Sequence, residues 1–317
     1  MKVYLDFEKP VADLEGKLAE LRTLEEGEGG VGIADEIARL QTKADQALRE
    51  IYGKLTPWQK TQVARHPGRP HTLDYISALI EDYTPLAGDR QYGEDEAIVG
   101  GLGRFRDMPV MVMGHEKGSD TESRLKHNFG MARPEGYRKT VRLMETAERF
   151  GLPVIAFVDT AGAYPGVGAE ERGQAEAIAR GIDACLSLGT PNVSLVIGEG
   201  GSGGAVAIAV TNAILMMEHS IYTVASPEAS ASILWHDSAR AADAATAMKV
   251  TASDLKRFKV IDQIITEPVG GAHRAPQEAI ESAGRAIESV LKDFNGVESD
   301  EIRRRRREKF IAMGRSL

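Results

Sequence analysis

Buried-strand and amphipathic-helix patterns alternate through the middle of the chain. LPVIAFVDT (152–160) is a continuous apolar run, as expected of a strand covered on both faces, and VSLVIG (193–198) is a second. Ahead of the first run, GYRKTVRLMETAERF (136–150) sets Val141, Met144, Ala147 and Phe150 on one helical stripe and stops at Gly151. Between the two runs the spacing predicts a helix over 170–188. After the second run it predicts a short helix over 203–212, then the strands AILMME (213–218) and SIYTVAS (220–226). Strand and helix alternating at this spacing predict crossover units and a largely parallel sheet, hence an α/β fold. AIVGGLGRF (97–105) and MPVMVMGHE (108–116), joined by a short polar turn, predict a hairpin, and the folded core begins near Glu96.

The flanks read differently. Leu14, Leu18 and Leu21, then Ile33, Ile37, Leu40, Ala44 and Leu48, keep helical spacing on either side of EEGEGGVG (25–32). Residues 56–83 continue as short helical pieces, because the two prolines of HPGRPHT (66–72) bar a continuous helix. Residues 227–317 are mostly helical apart from VIDQIIT (260–266). The chain thus divides into a helical arm (1–90) that packs on a partner, a core (91–295) and a charged C-terminal helix (296–317).

A chain of 317 residues, 42% hydrophobic and 27% charged, is ordinary globular composition and excludes disorder of the whole. Its 39 basic and 47 acidic residues leave a net charge of −8, which argues against broad electrostatic binding to nucleic acid. The basic run Arg303–Arg307, flanked by Glu301 and Glu308, reads as a solvated terminal helix. No apolar run approaches the roughly 20 residues of a membrane span. MKVYLDFEKP lacks the apolar region of a signal peptide, so the expected location is cytoplasmic. The single cysteine, Cys185, forms no internal disulfide and builds no cysteine-rich zinc site by itself.

The candidate chemistry sits in VIGEGGSGGAVAIAV (196–210), which fits three descriptions. Gly198, Gly200 and Gly203 match a dinucleotide fingerprint, with Glu218 placed to hold a ribose. Against this, a strand-helix unit precedes the motif, and helix 203–212 is short. Gly200, Ser202 and Gly204 match a nucleophile elbow, which needs His219, His236 or His273 as base and an acid such as Asp237, Asp243, Asp254 or Asp262 behind it. In the third description the glycines bring backbone N–H groups at a helix start close to an oxygen that gains negative charge. DTAGAYPGVGAEERGQ (159–174) supports the third: Gly162, Gly166, Gly168 and Pro165 follow the preceding strand, and ligands bind at the carboxyl ends of parallel strands. Arg133, Arg138 and Lys139 are candidates for holding phosphates or a carboxylate, or else a solvated helix face.

LDFEKP (5–10), ARHPGRPHTLDYI (64–76), LAGDR (86–90), NFGMARPEGYRK (128–139), AYPGVGAEERGQ (163–174), GEGGSGGA (198–205), SPEASASILW (226–235) and PVGGAHR (268–274) occur in the order found in one family. Over nearly its whole length the chain resembles the α subunits of the bacterial acetyl-coenzyme A carboxylase carboxyltransferase. One departure is Ala161, where the family usually has proline after Asp-Thr. The resemblance implies a crotonase-like fold of repeated ββα units. It also implies an α2β2 assembly, active only with a β subunit that brings a four-cysteine zinc site and most of the acetyl-CoA site. Carboxybiotin on a separate biotin carboxyl carrier protein would supply the carboxyl group, and acetyl-CoA would become malonyl-CoA for fatty acid biosynthesis. ATP would be used by the separate biotin carboxylase, with no metal on this chain. By the same resemblance the N–H groups of Gly203 and Gly204 form the oxyanion hole for the biotin ureido oxygen, and Gly162, Ala163, Tyr164 and Gly166 line the carboxybiotin side. The alternatives are a stand-alone crotonase-type hydratase or isomerase with catalytic glutamates, and a non-catalytic scaffold.

Overall fold

The computed structural model describes residues 3–25 and 33–315; most of the glycine-rich break expected at 25–32 lies outside the described residues. Four helices come first: α1 (Lys9–Glu25), α2 (Ala34–Tyr52), α3 (Pro57–Ala64) and α4 (Thr72–Leu79). Thr56 caps α3 through its side chain, and Pro57 sits at the first helical position, where its missing N–H costs nothing. Next come β1 (Glu81–Pro85), β2 (Ile98–Phe105), β3 (Met108–His115), α5 (Thr121–Lys126), α6 (Pro134–Phe150) and β4 (Val154–Thr160). The centre continues as α7 (Val167–Glu171), α8 (Gln174–Ser187), β5 (Asn192–Gly201), α9 (Ser202–Ala209), β6 (Ala213–Met217) and β7 (Ile221–Thr223). The last elements are α10 (Pro227–Trp235), α11 (Ala241–Met248), α12 (Ala252–Arg257), β8 (Gln263–Ile265), α13 (Pro276–Lys292) and α14 (Ser299–Ala312).

The sheet runs β1-β2-β3-β4-β5-β6-β8, with β7 paired to the far end of β5. β1, β2 and β3 are antiparallel, and the pairs from β3 onward are parallel. The hairpin and the parallel centre follow the sequence pattern. Residues 81–85 do not: they form an edge strand where short helices were expected. Gly101 and Gly103 on β2 admit it, since a Cβ at Gly101 would come 2.1 Å from the Thr84 oxygen and one at Gly103 2.3 Å from Ile80 Cγ2. The single helix expected over 170–188 is instead broken at Gly173, whose φ of +80° favours glycine.

Side chains of the central strands alternate between two buried layers, which is why these strands are apolar throughout. Ala156, Val158, Val196, Ile214 and Met216 face α6 and α8, meeting Tyr137, Leu143, Met144 and Cys185. Ile155, Phe157, Leu195, Ile197, Leu215 and Met217 face α4 and α13, meeting Tyr75, Ile76, Ile280 and Ile287. Burial pushes the Cys185 thiol up to about 12, so it behaves as a small core side chain and not a nucleophile. A satellite core of Val11, Leu48, Tyr52 and Val63 ties α1 and α2 to α3, and Arg274 pairs with Glu15 and Glu8 across it.

The basic run near the C-terminus is not wholly solvated. Arg306 is fully buried, and its guanidinium donates to the Leu188 and Thr190 carbonyls and to Asn192 Oδ1 and Asn212 Oδ1. It binds the open carbonyl end of α8 and the turn after α9, while Arg304 and Arg305 stay exposed and pair with Glu301.

Candidate active site

The two glycine-rich segments leave the C-terminal ends of adjacent parallel strands, β4 and β5, where Thr160 pairs with Gly200. They interlock closely. A Cβ at Gly201 would come 2.2 Å from the Ala161 carbonyl oxygen, and one at Gly204 would come 2.8 Å from both Gly162 C and Ala163 N. Any side chain at either position would push the two segments apart. Gly203 differs: its nearest neighbour would be Ile178 Cδ1 at 3.4 Å, an ordinary contact. Gly204 is therefore a steric necessity, while Gly203 is set by its place in the first turn.

Both N–H groups belong to the first turn of α9, where no preceding carbonyl of the helix accepts them. Such a turn presents donors and the positive end of the helix dipole to an anion. Ser202 opens the turn with φ +52°, an arrangement that costs roughly 1–2 kcal/mol for a non-glycine residue and clusters at functional sites. The facing loop is tied by Thr160, whose Oγ1 accepts from the Gly162 N–H at 3.0 Å and donates to the Gly162 carbonyl at 2.8 Å. Gly162 has φ +148°, which side chains rarely adopt. Tyr164 donates its backbone N–H to the Ala132 carbonyl, and its ring lies 5.0 Å below the Arg133 guanidinium. Gly166 leaves room for that ring, since a Cβ there would come 2.3 Å from Tyr164 Cε1. Gln174 Nε2 bridges the Ala132 and Tyr164 carbonyls. A mostly apolar cavity of about 620 Å³ opens beside Ser202 and Gly203, walled by Val206, Tyr222, Val224 and Leu255.

The two competing descriptions lose their support. A dinucleotide site uses a crevice where strand order reverses, but here the order rises steadily, and Glu218 already accepts the Glu267 N–H. For the elbow, no hydrogen bond joins Ser202 to a histidine among the described residues. His236 ends α10, and His219 packs its ring on Tyr52. His273 stacks on His66 at 3.8 Å, and burial together with that neighbour pushes it down to about 3, too weak a base. Asp237 caps its own turn, Asp243 and Asp254 pair with the exposed Arg240 and Arg257, and Asp262 holds Ile214 and Lys309. Ser202→Ala is accordingly expected to keep turnover within about twofold, because no triad depends on its hydroxyl. A loss beyond about a hundredfold in steady-state assays would bring the nucleophile back.

Of the basic residues singled out in the sequence, Arg133 alone leans over the loop. Arg138 pairs with Asp89, and Lys139 is fully buried, donating to the Asp95 and Ile98 carbonyls and to Glu94. Neither belongs to a solvated helix face. An ionic network that hydrophobic patterning does not reveal lies beneath the strand ends. Asp159 and Glu199, from β4 and β5, are bound by Lys117, His71 and Arg65. Burial would raise the Asp159 carboxyl, but Lys117 and His71 hold it well below the usual carboxylate range. Its cue in the sequence was polar residues closing apolar strands.

Residues 4–314 match the family described as acetyl co-enzyme A carboxylase carboxyltransferase-like. The chain belongs to this family. Its carboxyltransferase relatives include the acetyl-coenzyme A carboxylase carboxyl transferase subunit alpha of Methylobacterium nodulans, 65% identical over 317 residues, with all of both chains covered. The protein of the same name from Xanthobacter autotrophicus is 64% identical over 317 residues, again covering both completely. Among solved structures, the transcarboxylase 12S core superposes with a TM-score of 0.58 at 17% identity, covering 74% of this chain and 45% of that one. That likeness shows the fold, which is crotonase-like. The chain is a carboxyltransferase.

Proposed function

We propose that the chain is the α subunit of a two-component acetyl-CoA carboxyltransferase. It takes the carboxyl group of carboxybiotin, carried on a separate biotin carboxyl carrier protein, and passes it to the methyl carbon of acetyl-CoA to give malonyl-CoA. The observation that carries the reading is the interlocked pair of glycine loops, with the N–H groups of Gly203 and Gly204 in the uncapped first turn of α9, in a chain of this family.

As the carboxyl–nitrogen bond breaks, its electron pair returns to the ureido group and negative charge gathers on the ureido oxygen. The N–H groups of Gly203 and Gly204 stabilise that charge. Gly162, Ala163, Tyr164 and Gly166 line the carboxybiotin side. The ureido anion takes the acetyl methyl proton and becomes neutral biotin, and the acetyl-CoA enolate so formed attacks the released CO2 to make the new carbon–carbon bond, so the chemistry needs no side-chain base.

A β subunit supplies the hole for the acetyl-CoA enolate and the zinc site, in an α2β2 assembly in the cytoplasm. ATP is consumed by a separate biotin carboxylase. Val167, next to Gly166, and Val224, on the cavity beside Ser202 and Gly203, expose 75% and 82% of their surface and suit the partner side of such an interface. The N-terminal helices α1 and α2 pack on the same partner. The test is carboxyl transfer from malonyl-CoA to biocytin, assayed with the chain alone and with its β subunit. Turnover is expected in the mixture alone. Hydratase or isomerase activity of the isolated chain would overturn the reading.

A further inference from the structure

Tyr137 stands where the backbones of the site meet. It lies in the first turn of α6 with no exposed surface. The point that a Cβ on Gly204 would occupy is 2.9 Å from Tyr137 Oη and 2.8 Å from both Gly162 C and Ala163 N. The hydroxyl, the start of α9 and the glycine loop therefore border one small volume. Among the described residues the hydroxyl has no hydrogen-bond partner, and Gln174 Oε1, on the residue that bridges Ala132 and Tyr164, is likewise buried and unpaired.

A buried hydroxyl left unpaired destabilises a fold, whereas phenylalanine fills the same space without that cost. The neighbouring Gly162 peptide has capacity to spare. Its carbonyl accepts from Thr160 Oγ1, and a carbonyl oxygen has two lone pairs. Gly162, at φ +148°, holds this peptide in a conformation open to glycine, so rotation there is not resisted by a side chain.

We propose that Tyr137 is a positioning residue: in the reacting complex its hydroxyl donates a hydrogen bond to the Gly162 carbonyl, fixing the glycine loop against the first turn of α9. The Gly203 and Gly204 N–H groups are then held on the oxygen as it gains charge. This rests on the oxyanion reading of those two N–H groups. A bond absent in the free chain and made as the reaction proceeds acts on turnover more than on binding.

The test is Tyr137→Phe in the complete complex with the β subunit, read by thermal unfolding and by steady-state transfer from malonyl-CoA to biocytin. The thermal midpoint is expected to equal or exceed that of the wild type. The kcat is expected to fall about tenfold, the worth of one hydrogen bond of ordinary net strength, with KM for malonyl-CoA within about twofold. A kcat within twofold of wild type overturns the proposal, and so does a lowered midpoint or failed assembly, which would make the hydroxyl structural. Gly204→Val assayed in parallel separates the two readings. If it is inactive while Tyr137→Phe is fully active, the positioning role alone falls; if Gly204→Val is itself active, the N–H reading falls.

Discussion

Gly204→Val is expected to remove carboxyl transfer, lowering kcat by about 10²–10³-fold, the range found when one oxyanion donor is lost. The cause is steric. A first side-chain atom at Gly204 would come 2.8 Å from the Gly162–Ala163 backbone and 2.9 Å from Tyr137 Oη, so α9 and the loop must separate. Displacing an N–H group by even 1 Å weakens a charge-assisted hydrogen bond steeply. The strands beneath are untouched, and assembly with the β subunit should survive, which sedimentation would establish. Full activity in a correctly assembled variant would end the oxyanion reading. Gly203 supplies the comparison: a Cβ there meets Ile178 at an ordinary 3.4 Å, so Gly203→Ala should disturb the site far less than the same change at 204.

The second large effect is on stability. Arg69→Met is expected to destabilise the chain by about 3–5 kcal/mol, the cost of breaking a buried ion pair from one side. Both partners are fully buried: the Arg69 guanidinium binds both Glu267 oxygens, at 2.6 and 2.8 Å, and donates to the Ile197 carbonyl and Ser220 Oγ. Methionine replaces the volume and none of the charge. Burial alone would raise the Glu267 carboxyl, and the Arg69 charge pulls it down to about 2. Because that value lies below the roughly 4.3 of an unfolded glutamate, the pair stabilises the wild type fully above about pH 5 and less as pH falls toward 2. In the variant burial prevails, Glu267 takes up its proton at higher pH, and the deficit relative to wild type narrows in acid. Urea unfolding across pH 4–8 measures both. A deficit below about 1 kcal/mol at neutral pH would mean that the pair merely offsets its own desolvation.

Much of this protein was determined by its sequence. Apolar runs such as 152–160 must be covered on both faces, and the Val141, Met144, Ala147 stripe must face a core, because side-chain direction follows from the local backbone period. The glycine loops could be placed at strand ends for the same reason, and so could the free N–H groups of a helix start. What only the tertiary structure decided depends on contacts between distant residues. The sequence pattern treats Gly203 and Gly204 alike; the loop from β4 makes one indispensable and leaves the other room. Glu81–Pro85 becomes a strand because glycines on β2 let it approach, against its own weak pattern. Arg306 leaves solvent for the carbonyls closing α8, more than a hundred residues away in the chain. Arg69 finds Glu267 across 198 positions, and Tyr137 meets Gly204 across the sheet's helical layer. Periodicity fixes which way a side chain points over a few residues, whereas a partner at that separation is set by how the whole chain closes on itself.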